Sequence, residues 1–299
     1  MMVDLSAFIL KKYPEYIRIS KRVIEATPVQ MLHSGQVFTG TFHHLLYDPQ
    51  IIGVKLDSGA GGDHIPEIAT IQITEETGKC AVSFSVIFDR TIVLQEEIVL
   101  IFSVTRVSLN AGLFKQQYLN RFYKRSVKKN NFIISEFTLA VFHKVVAFFY
   151  YPKPVFVVST ANGKGPNSFP VDTCHRIGQY FIFGARHSNR IINTARVGDT
   201  IAIGLSNINK ADEIYQLGKY AEGSNEIIYK RDNNFDIAVP DVVSGYNLAE
   251  LTEIFRYGIQ DIYLARIVSK DYRVNGAPFL SHIHKFWMLS NRLRKYYEI

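Results

Sequence analysis

The 299-residue chain is 47% hydrophobic and 20% charged, long enough to bury one large core or two ordinary ones. Its charged fraction, 19 glycines and 10 prolines exclude a disordered, collagen-like or coiled-coil chain. The net charge of +7 is spread evenly, with 15 Lys/Arg against 12 Asp/Glu in residues 1–130 and 19 against 15 in residues 131–299, so no half is a polybasic nucleic-acid platform.

In chain order, the start MMVDLSAFILKKY carries an acid where a secretory signal needs its basic segment, which predicts a cytoplasmic protein. Leu5, Phe8 and Ile9 share one helical face, and Pro14 suits the first position of a second helical piece running to about Glu25. Pro28 closes that region. From Val37 to Val104 the period changes to two: Ala69, Ile71 and Ile73 alternate with polar residues, as do Val82, Phe84, Val86 and Phe88 with a mostly small set. This predicts half-buried antiparallel strands. The glycine-rich loop Ser58–Asp63 is followed by a strand-like segment beginning at Pro66, so it reads as a hairpin loop and not a phosphate cradle, which needs a following helix.

Residues 107–134 read as a connector. Ser135 is a candidate N-cap, and Leu139, Phe142, Val146 and Phe149 fall at helical spacing. Buried strands follow at Val155–Thr160, Tyr180–Ala185 and Asp199–Ser206, and another lies within Gly258–Arg273. Helical segments fit Asn189–Ala195, Ala211–Tyr220 and Asn247–Tyr257. Two clusters, Arg121–Lys129 and Lys285–Lys295, mix bases with aromatics as single-strand binders do. The simpler reading is a solvated linker and a solvated C-terminal helix.

Catalytic motifs such as GxSxG, HExxH, GxxxxGK[ST] and GxGxxG are absent from the sequence. Cys80 and Cys174 are too few for a disulfide scaffold and lack zinc spacing. No apolar run reaches the ~18 residues of a membrane span. His282 and His284 would share a strand face but have no third ligand near in sequence. His43 and His44 point to opposite faces, and Cys174 and His175 diverge in the same way, leaving a buried, inert thiol.

The informative stretch is Val155–Ser206. Two apolar strands flank a polar strand-like piece carrying Asn167, Ser168, Asp172 and Thr173. The next strand ends in Arg186-His187-Ser188-Asn189-Arg190. Two guanidiniums, a hydroxyl and the start of a helix at one point suit a phosphate monoester. A plain helix cap with two solvated arginines fits the same spacing.

At these residues the sequence resembles the flavin reductase-like family. The likeness lies in Val157-Val158-Ser159-Thr160, Asn162-Gly163, Asn167-Ser168-Phe169, Val171-Asp172-Thr173, Arg186–Asn193 and Gly198–Ile203, with Gly258–Ser269 and Val274–Phe279 toward the end. The match covers roughly residues 135–290. It departs from the family at Pro170, which an edge strand tolerates, at Cys174–Gln179 and at Ile201–Gly204.

The resemblance implies a mainly β fold with flanking helices: an FMN-binding split β-barrel over residues 131–299, behind a β-rich unit over residues 1–130 of unnamed role. It implies FMN, or FAD in its place, held at a homodimer interface, with NADH or NADPH as co-substrate. The activity implied is that of a flavin reductase-type oxidoreductase. By resemblance Asn167, Ser168, Phe169, Asp172 and Thr173 take the ring and ribityl chain, while Arg186, Ser188, Asn189 and Arg190 take the phosphate. No catalytic side chain and no metal is implied, because the chemistry belongs to the flavin. A split-barrel binding or scaffolding protein without cofactor is the alternative.

Overall fold

The computed structural model describes residues 16–19, 27–57 (except 34, 35 and 48), 67–110 (except 75–79), 116–124 (except 118 and 122), 138–148, 153–161, 167–207, 210, 213, 214, 217, 228–232, 236–269 and 279–282. The first strand, β1 (Tyr16–Ile19), lies where a helix was expected. Six strands follow: β2 (Thr27–His33), β3 (Gln36–Tyr47), β4 (Gln50–Leu56), β5 (Ile68–Thr74), β6 (Cys80–Leu94) and β7 (Glu97–Leu109). They close into an antiparallel barrel in the order β2-β3-β4-β7-β6-β5.

Pro28 does not end the preceding region but sits inside β2, opposite Thr41 and one residue outside the β2–β5 pairing. A proline is harmless there, since its missing N–H leaves no gap in that ladder. The Ser58–Asp63 loop lies outside the described residues. The strands on either side of it, β4 and β5, are not neighbours, so they are not the two arms of a hairpin.

Helix α1 (Leu139–Phe148) begins at Thr138, whose Oγ1 accepts the Val141 N–H at 3.3 Å. That is the cap geometry expected of a threonine; Ser135 lies outside the described residues. α1 buries Phe142, Val146 and Ala147 in the interior of the first barrel, against Phe84 and Phe102. Of the basic stretch Arg121–Lys129, Arg121 and Lys124 are exposed and Tyr123 packs on this same core, the pattern of a solvated face. Lys285–Lys295 lies outside the described residues.

Beyond α1 come β8 (Lys153–Pro154), β9 (Phe156–Thr160), β10 (Asn167–Val171), β11 (Cys174–Ile177), β12 (Tyr180–Arg186) and β13 (Thr200–Ser206). They are followed by β14 (Tyr229–Asp232), β15 (Ile237–Pro240), β16 (Val243–Tyr257), β17 (Gln260–Ile267) and β18 (Phe279–His282). Seven form one sheet, β10-β9-β13-β16-β17-β12-β11. Its two edge strands, β10 and β11, are separated in sequence only by Asp172 and Thr173. The sheet therefore curls until its edges meet without pairing, which makes it a split barrel. β10 being an edge accounts for Pro170.

Asn247–Tyr257, expected to be helical, instead lies within the 15-residue strand β16 and makes up all but its first four residues. The register slips between Leu251 and Glu253. Both faces of the strand are covered, Ala249 and Leu251 in the second barrel, Leu248 on the opposite face and Phe255 in the layer between the barrels, so the apolar residues do not alternate and fall at a spacing that imitates a helix. Asn189–Ala195 is a run of hydrogen-bonded turns and not a helix, with Asn193 N–H on the Asn189 carbonyl at 3.1 Å and Ala195 N–H on that of Ile192 at 3.0 Å. In the Ala211–Tyr220 stretch only residues 213, 214 and 217 are described.

Period-two burial explains how the barrels meet. Along β4 and β7, Ile52, Val54, Leu100 and Phe102 fill the first barrel while Ile51, Val99 and Ile101 face outward. Along β12 and β17, Phe181, Phe183, Tyr263 and Ala265 fill the second barrel while Ile182, Ile262 and Leu264 face outward. The two outward rows pack on each other with Leu45, Leu46 and Ile177. These strands read as unbroken apolar runs because both faces are buried. A third sheet, β1-β18-β8, ties the segment before the first barrel to the end of the described chain. Among the described residues no helix is long and apolar enough to cross a membrane.

Candidate functional site

The unpaired seam of the split barrel opens a cleft of about 380 Å3. One side is Phe169, Pro170 and Val171 of the edge strand with Asp172 and Thr173 behind them; the other is Gly184, Ala185 and Arg186 at the end of β12. The turn Ser188-Asn189-Arg190 forms one end. The structure thus gathers seven of the predicted residues: Phe169, Asp172, Thr173, Arg186, Ser188, Asn189 and Arg190. Ser168 is not brought to the cleft. Alternation turns it to the opposite face from Phe169, where it is buried with its Oγ 2.7 Å from that of Ser159. Asn167 pairs with Thr160 at the far end of β10 and does not line the cleft.

The turn is fastened to β17. His187 N–H donates to the Ile259 carbonyl at 3.0 Å, and His187 Nε2 lies 2.8 Å from Asp261 Oδ1. Asn189 Oδ1 accepts the Ile191 N–H at 3.0 Å, so this side chain shapes the turn. The turn itself is not a helix; among the described residues that line the cleft the positive charge comes from Arg186 and Arg190, with the exposed Ser188 beside them.

Thr173 Oγ1 donates to the Gly184 carbonyl at 3.1 Å, tying the seam's linker to β12. Sequence reasoning missed Tyr47 and Gln260. Tyr47 ends β3 of the first barrel and lines the cleft. Its hydroxyl donates to Asp172 Oδ1 at 2.5 Å, and its backbone N–H donates to Gln260 Oε1 at 3.1 Å. Gln260 is 2% exposed, and its Nε2 has no hydrogen-bond partner among the described residues. Nothing in the local pattern around Tyr47 marks it, because its place depends on how the two barrels pack.

Behind Tyr47 lies a buried polar layer. Lys153 is 5% exposed, with its ammonium 5.6 Å from the Tyr47 ring centroid and over the Phe148 ring. Burial pushes that ammonium well below the usual lysine range, and the Asp172 carboxylate opposes the shift. His43 and His44 are buried, the former edge-on to His175 with centroids 4.7 Å apart. His175 Nε2 lies 2.9 Å from the His44 carbonyl, so it carries the proton of the neutral ring. Both ring nitrogens of His43 are buried without partners among the described residues.

Burial lowers all three imidazoles, His175 to about 4, with Lys153 adding to the effect on His44 and His175. Cys174, as its strand position suggested, is buried and its thiol is pushed well above the usual range by burial.

The sign follows from which state takes the proton. Below pH 6.5 the unfolded histidines bind protons that the folded ones refuse, so this contribution to stability is whole above 6.5 and is lost as pH falls toward 4. His175, lowered to about 4, contributes on the order of 2 kcal/mol between pH 6.5 and 5. His43→Leu is expected to lessen the acid loss, read as the difference in urea unfolding free energy between pH 7 and pH 5. An acid limb as steep as the wild type's would contradict it.

Among the described residues no group of three or more His, Cys, Asp or Glu is placed to hold a metal ion. His282 is in β18, and His284 lies outside the described residues.

No family model matches the chain, and no curated protein sequence matches it. Solved structures similar to part of it include an NADH:FAD oxidoreductase of Streptomyces globisporus bound to NAD and FAD fragments. It is 9% identical over 47% of this chain and 87% of that one, with a TM-score of 0.43. A flavin reductase domain protein of an Arthrobacter species is 11% identical over 46% and 89%, with a TM-score of 0.40. An FMN-binding protein of Thermus thermophilus, solved with bound cyclohexenone, is 15% identical over 46% and 85%, with a TM-score of 0.39.

Proposed function

We propose that the seam cleft binds a flavin mononucleotide and that the protein is an oxidoreductase of flavin reductase type. The observation that carries this reading is the polarity of the cleft. Arg186, Arg190 and Ser188 line it together with the apolar Phe169 and Val171. A planar apolar ring with a dianionic tail matches both kinds of wall. The volume falls within the roughly 300–1,000 Å3 of small-ligand sites.

A bound flavin would supply hydride and electron transfer with a nicotinamide or a protein partner. The chain's own part is binding and shielding. Arg186 and Arg190 would neutralise the phosphate, while Phe169 and Val171 keep water from the ring. Thr173 spends its proton on Gly184 and offers a ligand only acceptor lone pairs. FAD in place of FMN, NADH or NADPH as co-substrate, a homodimer and a cytoplasmic setting complete the proposal.

A second reading has one observation in its favour. Asp172 and Thr173 already bond to the chain's own groups, as they would in a split-barrel binding module without cofactor. The visible spectrum of the purified protein separates the two. Flavin bands, with FMN or FAD identified in the released chromophore, support the redox reading. A colourless protein that takes up neither added flavin supports the module.

A further inference from the structure

We infer that His187 and Asp261 form a latch that aims the turn Arg186–Arg190 into the cleft, so that this pair sets affinity for a ligand's phosphate without touching it. This rests on the flavin reading above and adds two positioning residues that the family resemblance does not include. Neither is among the described residues that line the cleft.

The turn starts where β12 ends. Arg186 is the last residue of that strand and pairs with Gln260, while Ser188 and Arg190 follow on the turn, and all three line the cleft. Between Arg186 and Ser188, His187 reaches the neighbouring segment twice. Its backbone N–H donates to the Ile259 carbonyl at 3.0 Å, and its Nε2–H donates to Asp261 Oδ1 at 2.8 Å. The two acceptors flank Gln260, the residue opposite Arg186. His187 is thus gripped by main chain and side chain together, which fixes the direction in which the turn leaves the strand. The Asn189 N–H on the Arg186 carbonyl at 2.9 Å and the Asn193 Nδ2 on the His187 carbonyl at 3.4 Å carry that direction onward.

The side-chain half of the grip is held by chemistry more than by packing. The Asp261 side chain is 11% exposed and that of His187 45%. An enclosed carboxylate needs a donor, and an imidazole this open contributes mainly that bond. Phosphate binding depends on such a grip because hydrogen bonds weaken steeply below about 120°. A small rotation of the turn therefore misaims Ser188 and Arg190. The walls proposed for the ring, Phe169 and Val171, belong to β10, which the latch does not hold. Loss of the latch is a loss for the phosphate alone.

The test is a fluorescence titration of the full chain with FMN and with riboflavin, with a thermal melt of each variant. His187→Ala is expected to weaken FMN binding by about tenfold while riboflavin stays within about threefold of wild type. His187→Gln keeps an amide donor within reach of Asp261 and is expected to hold FMN within about threefold. Asp261→Ala is expected to lose FMN affinity as His187→Ala does. The double variant should be no weaker than the worse single one, because either change opens the same latch.

FMN binding unchanged in His187→Ala overturns the latch and leaves the flavin reading intact, as does an equal loss for both flavins. A His187→Gln variant as weak as His187→Ala, or a double variant showing the product of the two single losses, also overturns it. A wild type that binds neither flavin overturns the parent reading and the latch with it.

Discussion

Replacing Arg186 and Arg190 together with alanine is expected to weaken FMN binding by about a hundredfold while leaving riboflavin binding within about threefold. The two ligands differ only by the phosphate. A charge-assisted hydrogen bond to a phosphate contributes ~1.5–3 kcal/mol, and two such groups converge on the turn end of the cleft. Neither arginine belongs to the buried cores, so the folded barrel should survive. Titrations of both flavins into wild type and the double variant check this. Equal losses for the two ligands would show that these guanidiniums do not hold the phosphate.

The second large effect is structural. Gly184→Ala is expected to destabilise the protein by about 3 kcal/mol or more and to lower its melting temperature by on the order of 10 °C. At Gly184 the strand β12 runs directly over β3. An added Cβ would lie 2.6 Å from Leu46 Cδ2 and closer still to the Leu45 carbonyl oxygen. A flexible side-chain tip could swing away, but the carbonyl of Leu45, a fully buried residue at a bulge between paired neighbours, moves only with its strand, so the barrels must part locally. That movement also displaces Thr173, bonded to the Gly184 carbonyl, and Tyr47, two residues beyond Leu45. The variant should therefore lose flavin affinity as well as stability. A melting temperature within a degree or two of the wild type's would show that the close approach is not a constraint.

What the sequence disclosed and what it hid divide along physical lines. Strands with one wet face, such as β5 and β6, announce themselves by alternation: Ile71 and Ile73, then Val82, Phe84 and Val86, are buried, while Thr70, Gln72, Ser83 and Ser85 are partly wet. The polar turn Arg186–Arg190 was legible because charge clustered beside a buried strand is a local feature. β16 was not legible, since both of its faces are covered and Leu248, Leu251 and Phe255, each in a different core, fall at a helix-like spacing. Ser168 was misplaced because which face of an edge strand looks into the seam is decided by the curl of the whole sheet. Tyr47 and Gln260 were invisible because they meet across 213 residues. The packing of one barrel on the other, through rows that read as plain apolar runs, is what brings them together.

The proposal that everything else depends on is that the seam of the second barrel is a flavin site. A crystal structure of the full chain grown with FMN tests it most directly. The expected result is the isoalloxazine lying against Phe169 and Val171, with the phosphate at Arg186, Ser188 and Arg190. FMN seated elsewhere on the chain, or a seam left without flavin under saturating FMN, would contradict it.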